Sequence, residues 1–465
     1  MRQRHSALPF STRRSGARRI ATLLAALVIS LPFTQAQADD RAMRNALEAA
    51  RDQQWERVDF RAIESHPLAG YVEYHRLRGR LPQLEPRQVL GFIDRHADTP
   101  LGEWLRGQAI AQYGHAGRYQ SLLAVADGEP AGTARQCYYY TALLGSDPAA
   151  AAEGGLALWR VGRSQPDACD TLFGTLRSQG VIGEQEIWER KMLAWQAGES
   201  GLVGYLGRQL GSRWEGARAA MEQVDGNFAA VTRIPACLGP ECRASGPLFA
   251  AAMHGFTRAD TEAALEAWRR IGEPLPIERE HRAEIERDLI FYSLVRDIRH
   301  NRGWVDQALA SRSDADLLEL RVRAALADRD WRGVLDWLAR MEPDTRDDSR
   351  WHYWAGRAHE RLGDDARARE AYALAAEGRS FFGFAAADRL GQPYALNLER
   401  NGFDDSFRQQ VAGWPAVQRT EALLRINEPG LAASEWYAAV ERADEREARA
   451  LADYAQRRGW HAKLV

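Results

Sequence analysis

The chain has 465 residues, of which 45% are hydrophobic and 27% charged, with a net charge of −2. That length and apolar content suit two or three packed domains. The acidic balance, with no basic stripe, excludes a nucleic-acid binder.

The amino terminus stands apart. Arg2, Arg4, Arg13, Arg14, Arg18 and Arg19 precede an apolar run from Ile20 to Leu31, and no acidic residue occurs before Asp39. Ala36-Gln37-Ala38 fits a small-x-small cleavage site. This pattern predicts a secretory signal peptide over residues 1–38. The apolar run is too short to span a bilayer comfortably. Taking six arginines and no acid from a net charge of −2 leaves a mature chain of about −8. No second apolar segment anchors it, so the expectation is a soluble exported protein without a stable membrane anchor.

From Asp39 onward the pattern is helical throughout. Asp39 to Trp55 is amphipathic, Phe60 to Ile63 makes a short turn, and Ser65-His66-Pro67 ends it. Leu68 to Leu77 follows. Pro86 sits where the first position of a helix reaching Ile93 should be, and Thr99-Pro100 opens the next, through Leu105 and Ile110. Arg118 to Val125, Ala131 to Leu144 and Pro148 to Val161 continue the series. In Glu184 to Gln196, Trp188, Met192 and Trp195 recur at i, i+4 and i+7. Ala259 to Ile271 and Glu278 to Ile298 carry similar stripes. No alternation of strand type is sustained, and no Gly/Ser linker divides the series.

The densest stretch is Leu317 to Leu390. Leu318, Val322, Ala325 and Leu326 share a face, and Asp330 is placed to cap a helix carrying Trp331, Val334, Leu335 and Leu338. Trp351, Trp354, Ala355, Ala358 and Leu362 form one predicted stripe. Gly363-Asp364-Asp365 stops that helix and offers a new cap. Gly356, Gly363, Ala368, Tyr372 and Ala375 match much of the small/aromatic pattern of a tetratricopeptide-type helix pair, with His352 and His359 in place of its usual first-helix aromatics. Such a pair buries its apolar face only against neighbouring pairs, so a solenoid is expected. After Pro393 the chain turns polar. Asn397 to Phe407 reads as a break at Gly402, followed by helices over Trp414 to Ile426, Leu431 to Arg442 and Glu445 to Arg458.

Four cysteines, Cys137, Cys169, Cys237 and Cys242, suggest disulfides in an exported chain. Three pairings are open. Cys237 and Cys242 flank a turn-like Leu-Gly-Pro-Glu; Cys137 and Cys169 would then staple two neighbouring helices. Zinc does not suit them, because no histidine lies at ligand spacing and no C-x-x-C occurs. No metal, cofactor or phosphate-binding motif is expected.

Several stretches resemble the soluble lytic murein transglycosylases. They are His66-Pro-Leu-Ala-Gly-Tyr-Val-Glu-Tyr74; Cys137-Tyr-Tyr-Tyr140 with Leu158-Trp159-Arg160 and Ser164-Gln-Pro-Asp-Ala-Cys-Asp170; Leu320 to Leu326 with Trp331 to Leu338 and Trp351-His-Tyr-Trp354; Phe381 to Gly391 with Pro393-Tyr394; and Ala433-Ser-Glu-Trp436 with Tyr454 and Trp460. The resemblance runs through residues 39–465 in order. It implies an all-α, U-shaped superhelix over 39–400, closed towards a ring by a small helical linker domain over 401–465. In the family a lysozyme-like domain follows. It cleaves the bond between N-acetylmuramic acid and N-acetylglucosamine through one Glu, and the sugar's own 6-hydroxyl leaves a 1,6-anhydro product. That chemistry needs a carboxylic acid of raised pKa in a low-polarity cleft.

Two Glu-Ser pairs occur, Glu64-Ser65 and Glu199-Ser200, and neither is followed by the family's Gly-Leu-Met-Gln run. Both are expected to be helix-end carboxylates. The sequence thus predicts a scaffold for peptidoglycan glycan strands, with wall-synthesis proteins as a second class of partner. No catalytic residue and no catalytic domain are expected within the chain, which would be inactive alone. A stand-alone periplasmic helical-repeat adaptor binding cell-wall proteins is the competing expectation.

Overall fold

The structure is a computed structural model that describes residues 31–397 and 402–461. These fold into α-helices joined by short 3-10 turns, without a strand among the described residues. The expected signal segment lies mostly outside them. The backbone of helix Leu31–Arg51 runs through the expected junction at Ala38 and Asp39. No described helix is long and apolar enough to cross a membrane.

The helices group into two compact units. One joins Met1–Ala142 with Asn401–Val465; the other is Leu143–Arg400. In the first, Met43, Leu47, Leu68, Tyr71, Phe92 and Tyr113 share one apolar core with Ala422, Leu423, Ile426 and Ala432. The tail helices Pro415–Arg425 and Pro429–Arg442 therefore lie against the earliest helices as well as against each other. A satellite core of Val411, Val417, Trp436 and Leu451 holds the rest of the tail together. Arg44 donates from Nε to the carbonyl of Ile426 at 3.2 Å. That places a cation at a helix C-terminus, where unpaired carbonyls concentrate negative charge. Arg51 adds a two-pronged pair with Glu428, at 2.6 and 2.9 Å.

In the second unit, helix Ser245–Ala259 is buried on nearly every side, through Leu248, Phe249, Ala252, Met253 and Phe256. An all-round apolar helix shows no amphipathic stripe, which is why periodicity did not mark it. Asp260 then ends it and caps Thr261–Ile271 by accepting from the amide of Ala263 at 3.0 Å. The predicted repeat pair is helices Ser349–Arg361 and Asp365–Ala376. A Cβ on Gly356 would sit 2.6 Å from the Tyr372 ring, so the two helices cross as closely as a glycine permits. Gly363, at φ +82°, makes the turn between them, and Asp364 caps the second helix at the amide of Arg367. Asp330 caps Trp331–Leu338 in the same way, at the amide of Gly333.

Two expectations are corrected. Leu362 does not complete the stripe of its helix: it lies past the last turn and is 45% exposed. The polar break predicted through Phe407 is shorter than expected, because Asp404 caps a helix Asp405–Ala412 at the amide of Phe407. Phe403, Phe407 and Val411 are three apolar residues four apart, and they pack into the satellite core. Such a short stripe is hard to separate from a loop by pattern alone.

Candidate functional site

The glutamates of the two Glu-Ser pairs both stand in solvent. Glu64 ends the short helix Phe60–Ile63 and is exposed; Glu199 precedes helix Ser200–Gly207 and is exposed. Glu64 does edge a hollow with Phe60, Gly70, Arg76 and His96, but an exposed carboxylate keeps water's stabilisation of its charge. His352 and His359 are half-buried on one helix and converge on no metal-ligand cluster among the described residues.

The carboxylate with the environment of a perturbed group is one that motif reasoning did not single out. Glu435, in the Ala433-Ser-Glu-Trp436 stretch, has 0% exposure. Its Oε1 accepts from the Tyr71 hydroxyl at 2.9 Å, and its Oε2 accepts from Arg419 Nε at 2.9 Å. Burial pushes its pKa above the ordinary carboxylate range, although Arg419 and Tyr71 both favour the charged form. Arg419 reaches on to Asp98, donating to its carboxylate at 2.9 Å and its backbone carbonyl at 2.7 Å. Arg442 donates to that same carbonyl at 2.9 Å. A second link runs beside it. His66 bonds Asp40 through Nε2 at 3.2 Å while its Nδ1 accepts from the amide of Leu68, and Asp40 in turn accepts from Arg425 at 2.7 Å. The Leu68 bond fixes Nε2 as the protonated nitrogen of the neutral ring.

These contacts explain what two of the family-like stretches do. His66 and Tyr71 come from the early one, Glu435 from the late one. The carboxylate is suited to locking helices together, since each of its oxygens already accepts a bond from a different helix. The signal available in the sequence was a lone Glu between Ala432 and Trp436 on an otherwise apolar face.

Cys237 and Cys242 form a disulfide, and no cysteine among the described residues is a free thiol. Cys137 and Cys169 are both fully buried. The Cys237–Cys242 ring ends at the start of the buried helix Ser245–Ala259. There the Ser245 hydroxyl donates to the carbonyl of Ala236 and accepts from the amide of Leu238.

Fold and contacts define an all-α helical protein whose tail helices are clamped to its first ones. The family model for the soluble lytic murein transglycosylase L domain matches residues 410–465. The soluble lytic murein transglycosylase of Escherichia coli (strain K12) is 27% identical over 451 residues, 94% of this chain and 69% of that protein. The Salmonella typhimurium protein of the same name is 27% identical over 453 residues, with the same coverage. Among solved structures, the 70 kDa soluble lytic transglycosylase from Escherichia coli superposes with a TM-score of 0.72 at 25% identity, over 92% of this chain and 69% of that one. An inactive mutant of lytic transglycosylase Slt from Pseudomonas aeruginosa gives 0.76 at 26% identity, over 87% and 66%. Over most of its length the chain is similar to soluble lytic murein transglycosylases, and residues 410–465 match their L domain.

Proposed function

We propose that residues 39–465 serve as the frame of a periplasmic lytic transglycosylase: they hold and orient the murein glycan and the domain that cleaves it. In this reading residues 1–38 direct export, and the acid that breaks the glycosidic bond is not among the described residues. The observation that carries the reading is the Tyr71–Glu435 contact, in which a family-like stretch near the start of the chain meets one near its end. The exposure of Glu64 and Glu199 supports the second part, because a general acid for this chemistry needs a desolvated carboxyl. Residues 39–400 would then be the superhelix and 401–465 the linker.

The test has two arms. Purified chain is sedimented with intact murein sacculi, and the same sacculi are analysed for released 1,6-anhydro muropeptides. Co-sedimentation without release is the expected result. Release that Glu64→Gln or Glu199→Gln abolishes would overturn the placement of the catalytic acid; failure to co-sediment would overturn the murein-holding role.

A further inference from the structure

Helices Asp170–Ser178, Glu184–Gln196 and Ser200–Gly207, with the end of Pro148–Trp159 and the loop at Ser164-Gln165, enclose a cavity of about 430 Å³. One wall is Arg190, only 4% exposed. Its guanidinium lies 4.2 Å from the centre of the Trp159 ring and 5.5 Å from that of Phe173. One of its terminal nitrogens donates to the carbonyl of Arg163 at 3.2 Å, and Nε has no partner. No carboxylate pairs with it among the described residues. Asp170 also lines the cavity but stands exposed at its rim. Burial pulls the Arg190 pKa down, as expected of a cation held from water without a counter-ion.

Aromatic stacking accounts for one face of that guanidinium and leaves its donor edge for an acceptor. Tyr205, 52% exposed, also lines the cavity, a ring with an apolar face and a polar tip. A second hollow adjoins the first across Gly174 and Arg177, and in its wall the amide of Gln209 has neither its oxygen nor its nitrogen satisfied. A buried cation, a second cation between the hollows and an unpaired amide beyond them suit a ligand that carries a carboxylate next to peptide groups.

We propose that this cavity recognises a free carboxylate on a short peptide, the chemistry presented by the stem peptides of murein. The inference rests on the murein reading above and deepens it: the frame reads the peptide side of the polymer as well as its sugar. Arg190 receives the carboxylate, Arg177 holds the peptide at the mouth, and Tyr205 covers its apolar side.

The probe is the tripeptide L-alanyl-γ-D-glutamyl-meso-diaminopimelate, titrated into the whole chain by calorimetry. The same tripeptide with its carboxyls amidated, and chitotetraose, are the controls. The tripeptide binds and the two controls do not. Arg190→Gln weakens it by about tenfold or more, the loss of one hydrogen bond to a charged group. Because Arg190 also packs in the core, a second variant keeps it. A Cβ on Gly174 meets nothing within 4 Å, so Gly174→Leu fills the shared opening and leaves the fold intact; it abolishes binding with no fall in melting temperature. Equal binding of the amidated tripeptide, or undiminished binding by Gly174→Leu, overturns the proposal. Sacculi that co-sediment with a chain blind to the tripeptide overturn the cavity alone. A chain that takes the tripeptide but not sacculi leaves the cavity standing and removes the murein-holding role.

Discussion

The hydroxyl of Tyr71 donates a 2.9 Å hydrogen bond to Glu435, a residue 364 positions further along the chain. Both side chains are buried, and Arg419 takes the other oxygen of the same carboxylate. Removing one member of a buried pair leaves the other charge without compensation, which costs about 3–5 kcal/mol. Glu435→Ala should therefore lower the first unfolding transition strongly. Tyr71→Phe loses one neutral donor to a charged acceptor and should cost about 1.5–3 kcal/mol. The double variant Glu435→Leu/Arg419→Met should be less damaging than the sum of its parts, because it strands no charge. Chemical denaturation monitored by exchange in helix Pro429–Arg442 reads all three; strict additivity would show that the carboxylate is not coupled to its partners.

The same network fixes two opposite pH dependences. Burial pushes Asp40 up, but the hydrogen bonds from Arg425 and His66 outweigh it and hold its pKa below the ordinary value. A depressed acid contributes stability that is present above its unfolded pKa and is lost as pH falls through the folded one. Asp40→Asn should flatten the acid side of the stability curve, by under about 1 kcal/mol because Arg425 is half exposed. Glu435 runs the other way. Burial raises its pKa, so its contribution is full below the ordinary Glu value and declines as pH rises through the raised one. The stability gap between the native chain and Glu435→Gln should narrow with rising pH. Melting temperatures across the acid-to-neutral range check both signs.

Cys237 and Cys242 are five apart, and within their ring Glu241 and Cys242 adopt φ of 54° and 63°. A bridge closing so short a loop contributes about 2 kcal/mol by chain entropy. Two non-glycine residues in the left-handed region cost about 1 kcal/mol or more each. Cys237→Ser/Cys242→Ser should thus change global stability little, while amide exchange rises at the start of Ser245–Ala259, where Ser245 ties down the ring. A large fall in melting temperature on replacing this pair would mean that the bridge does more than fix the helix entry.

Gly356→Ala adds one methyl at 2.6 Å from the Tyr372 ring. Overpacking of this kind costs about 1–3 kcal/mol, against a gain in helix propensity of about 1 kcal/mol. Net destabilisation is expected, and Tyr372→Leu in the same chain should relieve part of it. Thermal unfolding of the single and double variants measures this, and an unchanged Gly356→Ala would show that the two helices can part without penalty.

Much of the fold was legible locally. Phe60–Ile63 and Glu184–Gln196 fall where the spacing put them, and Pro86, Asp330, Gly363 and Asp364 start and stop their helices as their chemistry requires. These features depend on residues within one turn of each other, so periodicity and capping suffice to find them. Helix Ser245–Ala259 escaped because burial on all sides erases the stripe, and Asp405–Ala412 because three apolar residues are too few to count.

What the sequence determined by itself is the helical alphabet, the close crossing at Gly356 and the likeness to a wall-cleaving family. Only the tertiary structure decided that Tyr71 meets Glu435, that Arg190 faces a cavity without a counter-ion, and that Glu64 and Glu199 stand in water. Those outcomes depend on which buried surfaces lie together across hundreds of residues. Burial, not residue type, sets whether a charged side chain is a solvated helix end, a clamp or a binding group.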